Sequence, residues 1–399
     1  MRILIVHGRY RSVAPSGENH VVDQERAALH AAGHEVDTFE RHSDEIAEWT
    51  LPRKALLPAR AIRNGEVRRE LQRVLARSRP EVVHVHNTFP LLSASVLHAC
   101  RDAGVPVVVT LHNYKLLCAS GDFFRLGRPC HDCAGGNWAP ALRRGCYRDS
   151  RAATLPVVLA NSANRSAWRT LVSAYIFISA AQRDHMASLD LPKERVFVKH
   201  NFVPPLARAT REPEHLVAYL GRLDAAKGVP QLMRGWDAFR ARSPASRLRL
   251  VVAGGGPMDM VVREWGARHS TVDVAGLLSR EEATNLLRRA LVAVVPSQWE
   301  ETFGLVAVEA MAAGVAPLAP ASGSFPEIVS DGVDGMLFRP GDSESLALAL
   351  GAVDRDPDHA IELGRKGQVT YEQRFRPEAN VEQLLNIYRY AVDRPVGHP

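Results

Sequence analysis

The sequence lacks any apolar run near the roughly 18 residues that a membrane-spanning helix needs. Its longest N-terminal apolar stretch, Ile3–Val6, is four residues with no small-residue cleavage site behind it. It reads as a first buried strand rather than an export signal, so the expected location is cytoplasmic. There the five cysteines should stay reduced. Aromatic residues are only 7% of the chain and do not interleave with the cations, which argues against a nucleic-acid partner. Gly (28) and Pro (25) are near ordinary usage, which excludes a fibrous or low-complexity chain. The first strand is followed only by Gly8 and, much later, Gly17. The G-x-G-x-x-G that lets a backbone approach a dinucleotide pyrophosphate is missing.

What remains is a chain of 399 residues, 46% of them hydrophobic, enough to bury the cores of two or three domains. Short apolar strands alternate with amphipathic helices, the pattern of parallel, doubly wound sheets. Arg2–His7, Val36–Phe39, Glu81–His86 and Val105–Leu111 form a first set. Leu216–Leu220, Leu248–Ala253, Thr271–Val274, Leu291–Pro296 and Val315–Ala319 form a second. Pro204-Pro205 marks the linker. The reading gives an N-terminal Rossmann-like domain, 1–203, with a Cys-rich insertion at 118–146. A C-terminal Rossmann-like domain follows at 204–376, and a final helix and tail at 377–399. The net charge of +6 is uneven. Residues 1–205 carry 28 Lys and Arg against 19 Asp and Glu; residues 206–399 carry 22 against 25. The basic half favours an anionic partner.

Two strings carry chemistry. Pro296–Gly314 runs from a strand end through a loop into a helix, with Glu301 and Glu309 eight residues apart. At 1.5 Å rise that spacing is about 12 Å, a nucleotide-sugar length, and the amides at the helix start would face phosphate. Gly221–Gly228 also follows a strand and holds Arg222 and Lys227, a planar fork and a compact point charge that suit a diphosphate. Two fixed cations there would stabilise the charge that develops on a departing phosphate.

These strings, with Gly323–Gly335, resemble the retaining glycosyltransferases of family 4, which have the GT-B fold: two Rossmann-like domains facing across a cleft, the last helix crossing back onto the N-terminal one. The resemblance implies transfer of a sugar from a nucleotide diphosphate sugar to an acceptor hydroxyl, with retained configuration and no catalytic metal or cofactor. It implies that Glu301 contacts the donor sugar, Glu309 the ribose, and Arg222 and Lys227 the diphosphate. The backbone of Phe303, Gly304 and Leu305 would approach sugar and phosphate, and Gly276 would join the donor site. In the N-terminal half it implies that His112, after Val105–Leu111, positions the sugar, with His86 and Asn113 near the acceptor. Gly17 would belong to a loop close to phosphate, in which Ser16 stands where a second glycine is usual. Two other classes compete: a two-Rossmann dehydrogenase, weakened by the missing fingerprint, and a non-catalytic nucleotide-sugar sensor, weakened by the intact charges.

Two further features stand apart. Cys118, Cys130, Cys133 and Cys146 lie in one Gly-rich stretch with one C-x2-C pair. That suits a structural zinc, or alternatively four reduced thiols or a redox pair. Residues 51–80 hold nine Lys and Arg and two acids on an amphipathic pattern, which suits either a core-packed helix with a solvated arginine face or a peripheral contact with an anionic membrane at its inner face.

Overall fold

The computed structural model describes residues 1–10, 12, 16–206 and 213–396. In chain order its strands are β1 (Arg2–Arg9), β2 (Glu35–His42), β3 (Val82–Val85), β4 (Val107–Leu111), β5 (Phe124–Arg125), β6 (Arg128–Pro129), β7 (Ala174–Phe177) and β8 (Val196–Val198). They continue with β9 (Leu216–Leu220), β10 (Arg249–Ala253), β11 (Val272–Gly276), β12 (Val292–Val294), β13 (Ala316–Pro320) and β14 (Met336–Phe338). The chain divides into two compact units. The first comprises Met1–Phe123, His131–Asn201 and Pro377–Pro399; the second comprises Phe124–Cys130 and Phe202–Arg376.

In the first unit six parallel strands run in the order β2-β1-β3-β4-β7-β8. The central strands are apolar on both faces because helices cover both sides; Leu4, Ile5 and Val6 are fully buried. The last helix, Pro377–Asp393, packs here, with Val381, Leu384, Ile387 and Tyr388 against Ile3, Ile5, Val108 and Ile176. These positions, i, i+3, i+6 and i+7, lie on one face of the helix, and that face is the interface.

The second unit has the order β11-β10-β9-β12-β13-β14, all parallel. Trp236, Phe239 and Trp265 fill its core beside Leu250 and Val292. The strand order reverses between β9 and β12. In open α/β sheets ligands bind at such a switch point, beyond the carboxyl ends of the strands. The loops leaving those two ends are 221–228 and the one beginning at Val295. In the first unit the reversal falls at β1, and β3 and β4 end nearby at His86 and His112.

Candidate functional site: two clusters at strand ends

In the second unit the loops after β9 and β12 are fitted to each other. Gly228 has φ +76°, and a Cβ there would lie 1.7 Å from the Pro296 carbonyl oxygen. Only glycine permits that approach. The Gln298 amide donates to the Ala226 carbonyl at 2.8 Å. This contact carries Lys227 to Glu301. The Lys227 ammonium donates to Glu301 Oε1 at 2.6 Å, and the Ser297 hydroxyl donates to the same oxygen at 2.7 Å. Lys227 also sits 5.1 Å from the centroid of the Trp299 ring. Glu301 is buried, and a buried carboxylate needs such partners to stay charged. Asp224 organises the first loop: it accepts from the Lys227 amide at 2.8 Å and pairs with the Arg222 guanidinium, which is otherwise exposed.

The eight-residue spacing of Glu301 and Glu309 is not a helical rise. The helix spans Leu305–Ala312, and Glu301 lies in the loop before it, so the 12 Å estimate along one helix does not apply. Gly304 is the N-cap and offers no side-chain cap, so the first-turn amides of Leu305 and Val306 remain donors aimed away from the helix. The Phe303 side chain is buried, its ring 6.0 Å from that of Phe375. Burial pushes the Glu309 carboxyl up to about 7, with Arg280 opposing the shift. Gly276 ends β11, and its carbonyl accepts from the Gly254 amide at 2.7 Å.

In the first unit Gly17 opens the helix Gly17–Ala31 instead of lying in a loop. Ser16 is its N-cap and accepts from the Asn19 amide. A glycine in place of Ser16 would lose that cap. Pro15 lies outside the described residues. His86 Nδ1 and His112 Nε2 are 2.8 Å apart, and both rings are buried. Asn113 Nδ2 donates to Glu18 Oε2 at 3.3 Å, and the Tyr10 hydroxyl donates to the same oxygen at 3.1 Å. Burial pushes Glu18 up to about 7 against the pull of Lys115. The Lys115 ammonium faces the Phe89 ring at 4.9 Å, with Tyr10 and Tyr147 behind. Beside these groups is an open cavity of ≈670 Å³, lined by His86, His112, Asn113, Lys115, Asn161 and Trp168 among others.

The sequence reading brought out Glu301, Lys227, Arg222, His112, His86 and Asn113, and the structure gathers them into these two clusters. It passed over Ser297, Glu18, Lys115 and Glu25. Ser297 lies within the Pro296–Gly314 string, Glu18 next to Gly17 and Lys115 two residues after Asn113, and that adjacency is the signal that could have found them.

The basic stretch 51–80 breaks into three helices, Leu51–Ala55, Leu57–Ile62 and Gly65–Ser78. Gly65–Ser78 buries Val67, Leu71 and Leu75. Arg60 pairs with Glu66 and Arg68 with Asp102, while Leu51 and Leu56 are exposed. No described helix is long and apolar enough to cross a membrane. In the cysteine stretch, Cys118 Sγ is 3.2 Å from the Ser120 hydroxyl, and Cys133 and Cys146 pack against Ala119, Ala141 and Val157. Cys130 follows the β5–β6 hairpin.

The family described as "Glycosyltransferase Family 4" matches residues 15–205, and "Glycosyl transferases group 1" matches residues 207–370. An alpha-maltose-1-phosphate synthase of Mycolicibacterium smegmatis is 30% identical over 343 residues, 77% of this chain and 78% of that protein. A D-inositol 3-phosphate glycosyltransferase of Saccharomonospora viridis is 35% identical over 190 residues, 44% of this chain and 43% of that protein. With such relatives the chain aligns over less than half of their length. Among solved structures, Anabaena HepE in complex with UDP superposes with a TM-score of 0.65 at 18% identity, covering 97% of this chain and 99% of that one.

Proposed function

Because this chain belongs to glycosyltransferase family 4 and has the GT-B fold, we propose that it moves a sugar from a nucleoside diphosphate sugar to an acceptor hydroxyl. The observation that carries the reading is the Lys227–Glu301–Ser297 cluster, which lies at the sheet's switch point and just before a helix without a side-chain cap.

Arg222 and Lys227 hold the diphosphate, and the amides of Leu305 and Val306 face it from the helix N-terminus. As the glycosidic bond to the diphosphate breaks, negative charge grows on the leaving oxygen. Fixed cations and helix amides stabilise that charge more than the ground state. This work needs no metal ion. When phosphate takes the Lys227 ammonium, Glu301 is released to accept from the sugar hydroxyls. Glu309 accepts from the ribose hydroxyls. The acceptor occupies the cavity beside His112, whose lining combines apolar and amide side chains with Lys115. Retention follows from attack on the same face the phosphate leaves, with the phosphate taking the acceptor's proton. A trapped glycosyl-enzyme would overturn that route.

The base is tested by melting the protein with UDP, GDP, ADP and dTDP sugars. A ligand at 100 times its Kd adds about 2.7 kcal/mol. Stabilisation by one of them, lost in Arg222→Ala, supports the reading; no response to any, with a response to NAD, supports the dehydrogenase. A binding protein without catalysis would show the same stabilisation and no transfer of labelled sugar. The cysteine stretch is proposed to bind a structural zinc through thiolates. Metal analysis should then find one zinc per chain, and EDTA should lower the Tm without any nucleotide present. Peripheral contact with an anionic membrane is proposed through Leu51 and Leu56 beside Arg53 and Lys54; sedimentation with anionic vesicles, abolished in Leu51→Ser/Leu56→Ser, checks it.

A further inference from the structure

Behind His112 the first unit buries a chain of ionisable groups that the donor chemistry does not use. It starts at Glu25, on the third turn of the helix Gly17–Ala31 and 2% exposed. Glu25 Oε1 is 2.9 Å from His84 Nδ1 and 3.4 Å from His86 Nε2. Neither Glu25 Oε1 nor His86 Nε2 makes a hydrogen bond of good geometry to a described residue, so each is the nearest polar partner the other has on that side. From the far side of the same ring, His86 Nδ1 reaches His112 Nε2 at 2.8 Å. Lys199, also 2% exposed, places its ammonium 3.4 Å from Glu25 Oε2 and 2.7 Å from Asn380 Oδ1. The Tyr388 hydroxyl lies 2.7 Å from His84 Nδ1, and Thr110 Oγ1 lies 2.8 Å from His84 Nε2. His7 stands edge-on to His86, its Nε2 engaged by Asn19 Oδ1 at 2.9 Å.

The proton positions follow from the charges. Glu25 and Lys199 form a buried, balanced pair, and burial leaves His86 and His112 neutral beside it. Burial brings His86 down to about 4 and His112 well below its usual value. A neutral imidazole has one donor and one acceptor nitrogen. The Glu25 carboxylate stands beside both His84 Nδ1 and His86 Nε2. It draws the proton of His86 to Nε2, which leaves Nδ1 as an acceptor. His112 must then donate from Nε2, and its Nδ1 carries the lone pair.

We propose that Glu25, acting through His86, is a positioning residue that fixes the ring orientation and the Nε2–H tautomer of His112. This rests on His112 being the residue that meets sugar or acceptor. A carboxylate–imidazole pair sets the tautomer of a working histidine in the same way elsewhere in enzymes, and carboxylate partners of this kind are worth about 10–100-fold in function. The arrangement also gives the last helix a part in the site, since Asn380 and Tyr388 close the network from that helix.

Glu25, His84 and His86 place ligand atoms within 4.8 Å of one another, the gathering a divalent cation needs. The Lys199 ammonium already supplies a positive charge to that carboxylate, which disfavours a metal there.

The test has two independent readouts. In protein labelled with 15N-histidine, the His112 Nδ1 shift should report an unprotonated nitrogen, and in Glu25→Gln the tautomer should invert, because the Gln amide can donate to His86 Nε2. In the assay, Glu25→Gln should lower kcat about 10–100-fold, with the donor Kd from melting curves unchanged and the pH profile of kcat displaced. Glu25→Asp should recover part of kcat. An Nδ1-protonated His112 in the unaltered protein overturns the proposal, as does an unchanged kcat in a folded Glu25→Gln. Zinc binding lost in His84→Gln would overturn it in favour of a metal site. The tautomer measurement needs neither turnover nor a stable variant. It therefore separates failure here from failure of the glycosyltransferase reading, which the nucleotide panel decides.

Discussion

Glu301 accepts from an ammonium and a hydroxyl, and each of those donors has a role once the donor is bound. Glu301→Gln keeps the shape and removes the charge. Transfer should fall at least about 100-fold, the scale of losing one preorganised electrostatic contact. Nucleotide Kd should change little, because Arg222 and Lys227 remain. An equal loss of binding and turnover would mean that Glu301 serves only to hold Lys227. Glu309 makes a different prediction. Its carboxyl is pushed up to about 7, and the ionised form accepts best from ribose hydroxyls. Binding then favours the deprotonated state, so affinity for an intact nucleotide sugar should rise up to about tenfold from pH 6 to pH 8. Calorimetry at both pH values checks it, and Glu309→Gln should flatten the dependence.

At the scale of the element, the two donor loops stand or fall together. Gly228→Ala places a Cβ into the Pro296 carbonyl and forces a side chain onto a backbone at φ +76°. The loops must separate, at a cost of at least about 2 kcal/mol. Denaturant melts should show it, and donor stabilisation should vanish even though every charged residue is retained. Much of this was legible beforehand. Strand, glycine, cation and helix follow one another within a few residues in 221–228 and 296–314, so local spacing sufficed. β7, β8 and β14 were not legible: three or four apolar residues fit a strand or a buried helix equally well until neighbouring strands supply hydrogen bonds. The helix start near Gly304 was legible as well; what failed was the distance drawn from a helical rise, because Glu301 lies in the loop before that helix.

For the whole molecule, buried titratable groups set the response to acid. His7 and His86 are brought down to about 4 by burial, and His112 well below its usual value by burial and the neighbouring histidines. Unfolded, each binds a proton near 6.5, so each makes stability fall as pH drops below that value. Glu18 and Glu309, raised to about 7, keep a proton when folded that they lose when unfolded. Between about 4.5 and 6.5 they offset two of the three histidines, leaving a gentle net loss of stability as pH falls. Below about 4.5 the unfolded carboxyls are protonated as well and the offset disappears. Glu25, held well below its usual value by His84 and Lys199 despite its burial, then adds to the loss. Urea melts at pH 7, 5.5 and 4 should show a mild decline and then a steep one; a flat profile would mean that the histidines are solvated.

Periodicity and spacing are local, so the sequence alone determined two α/β halves, an amphipathic last helix, and which loops carry cations and carboxylates. Only the tertiary structure decided that Glu25 meets His84 and His86, that Lys199 balances it, and that Tyr388 closes the network 304 positions from His84. A parallel sheet lines up the carboxyl ends of strands whatever the length of chain between them. A charge buried among those ends is stable only with partners, and the fold, with its long crossovers, chooses which residues those are.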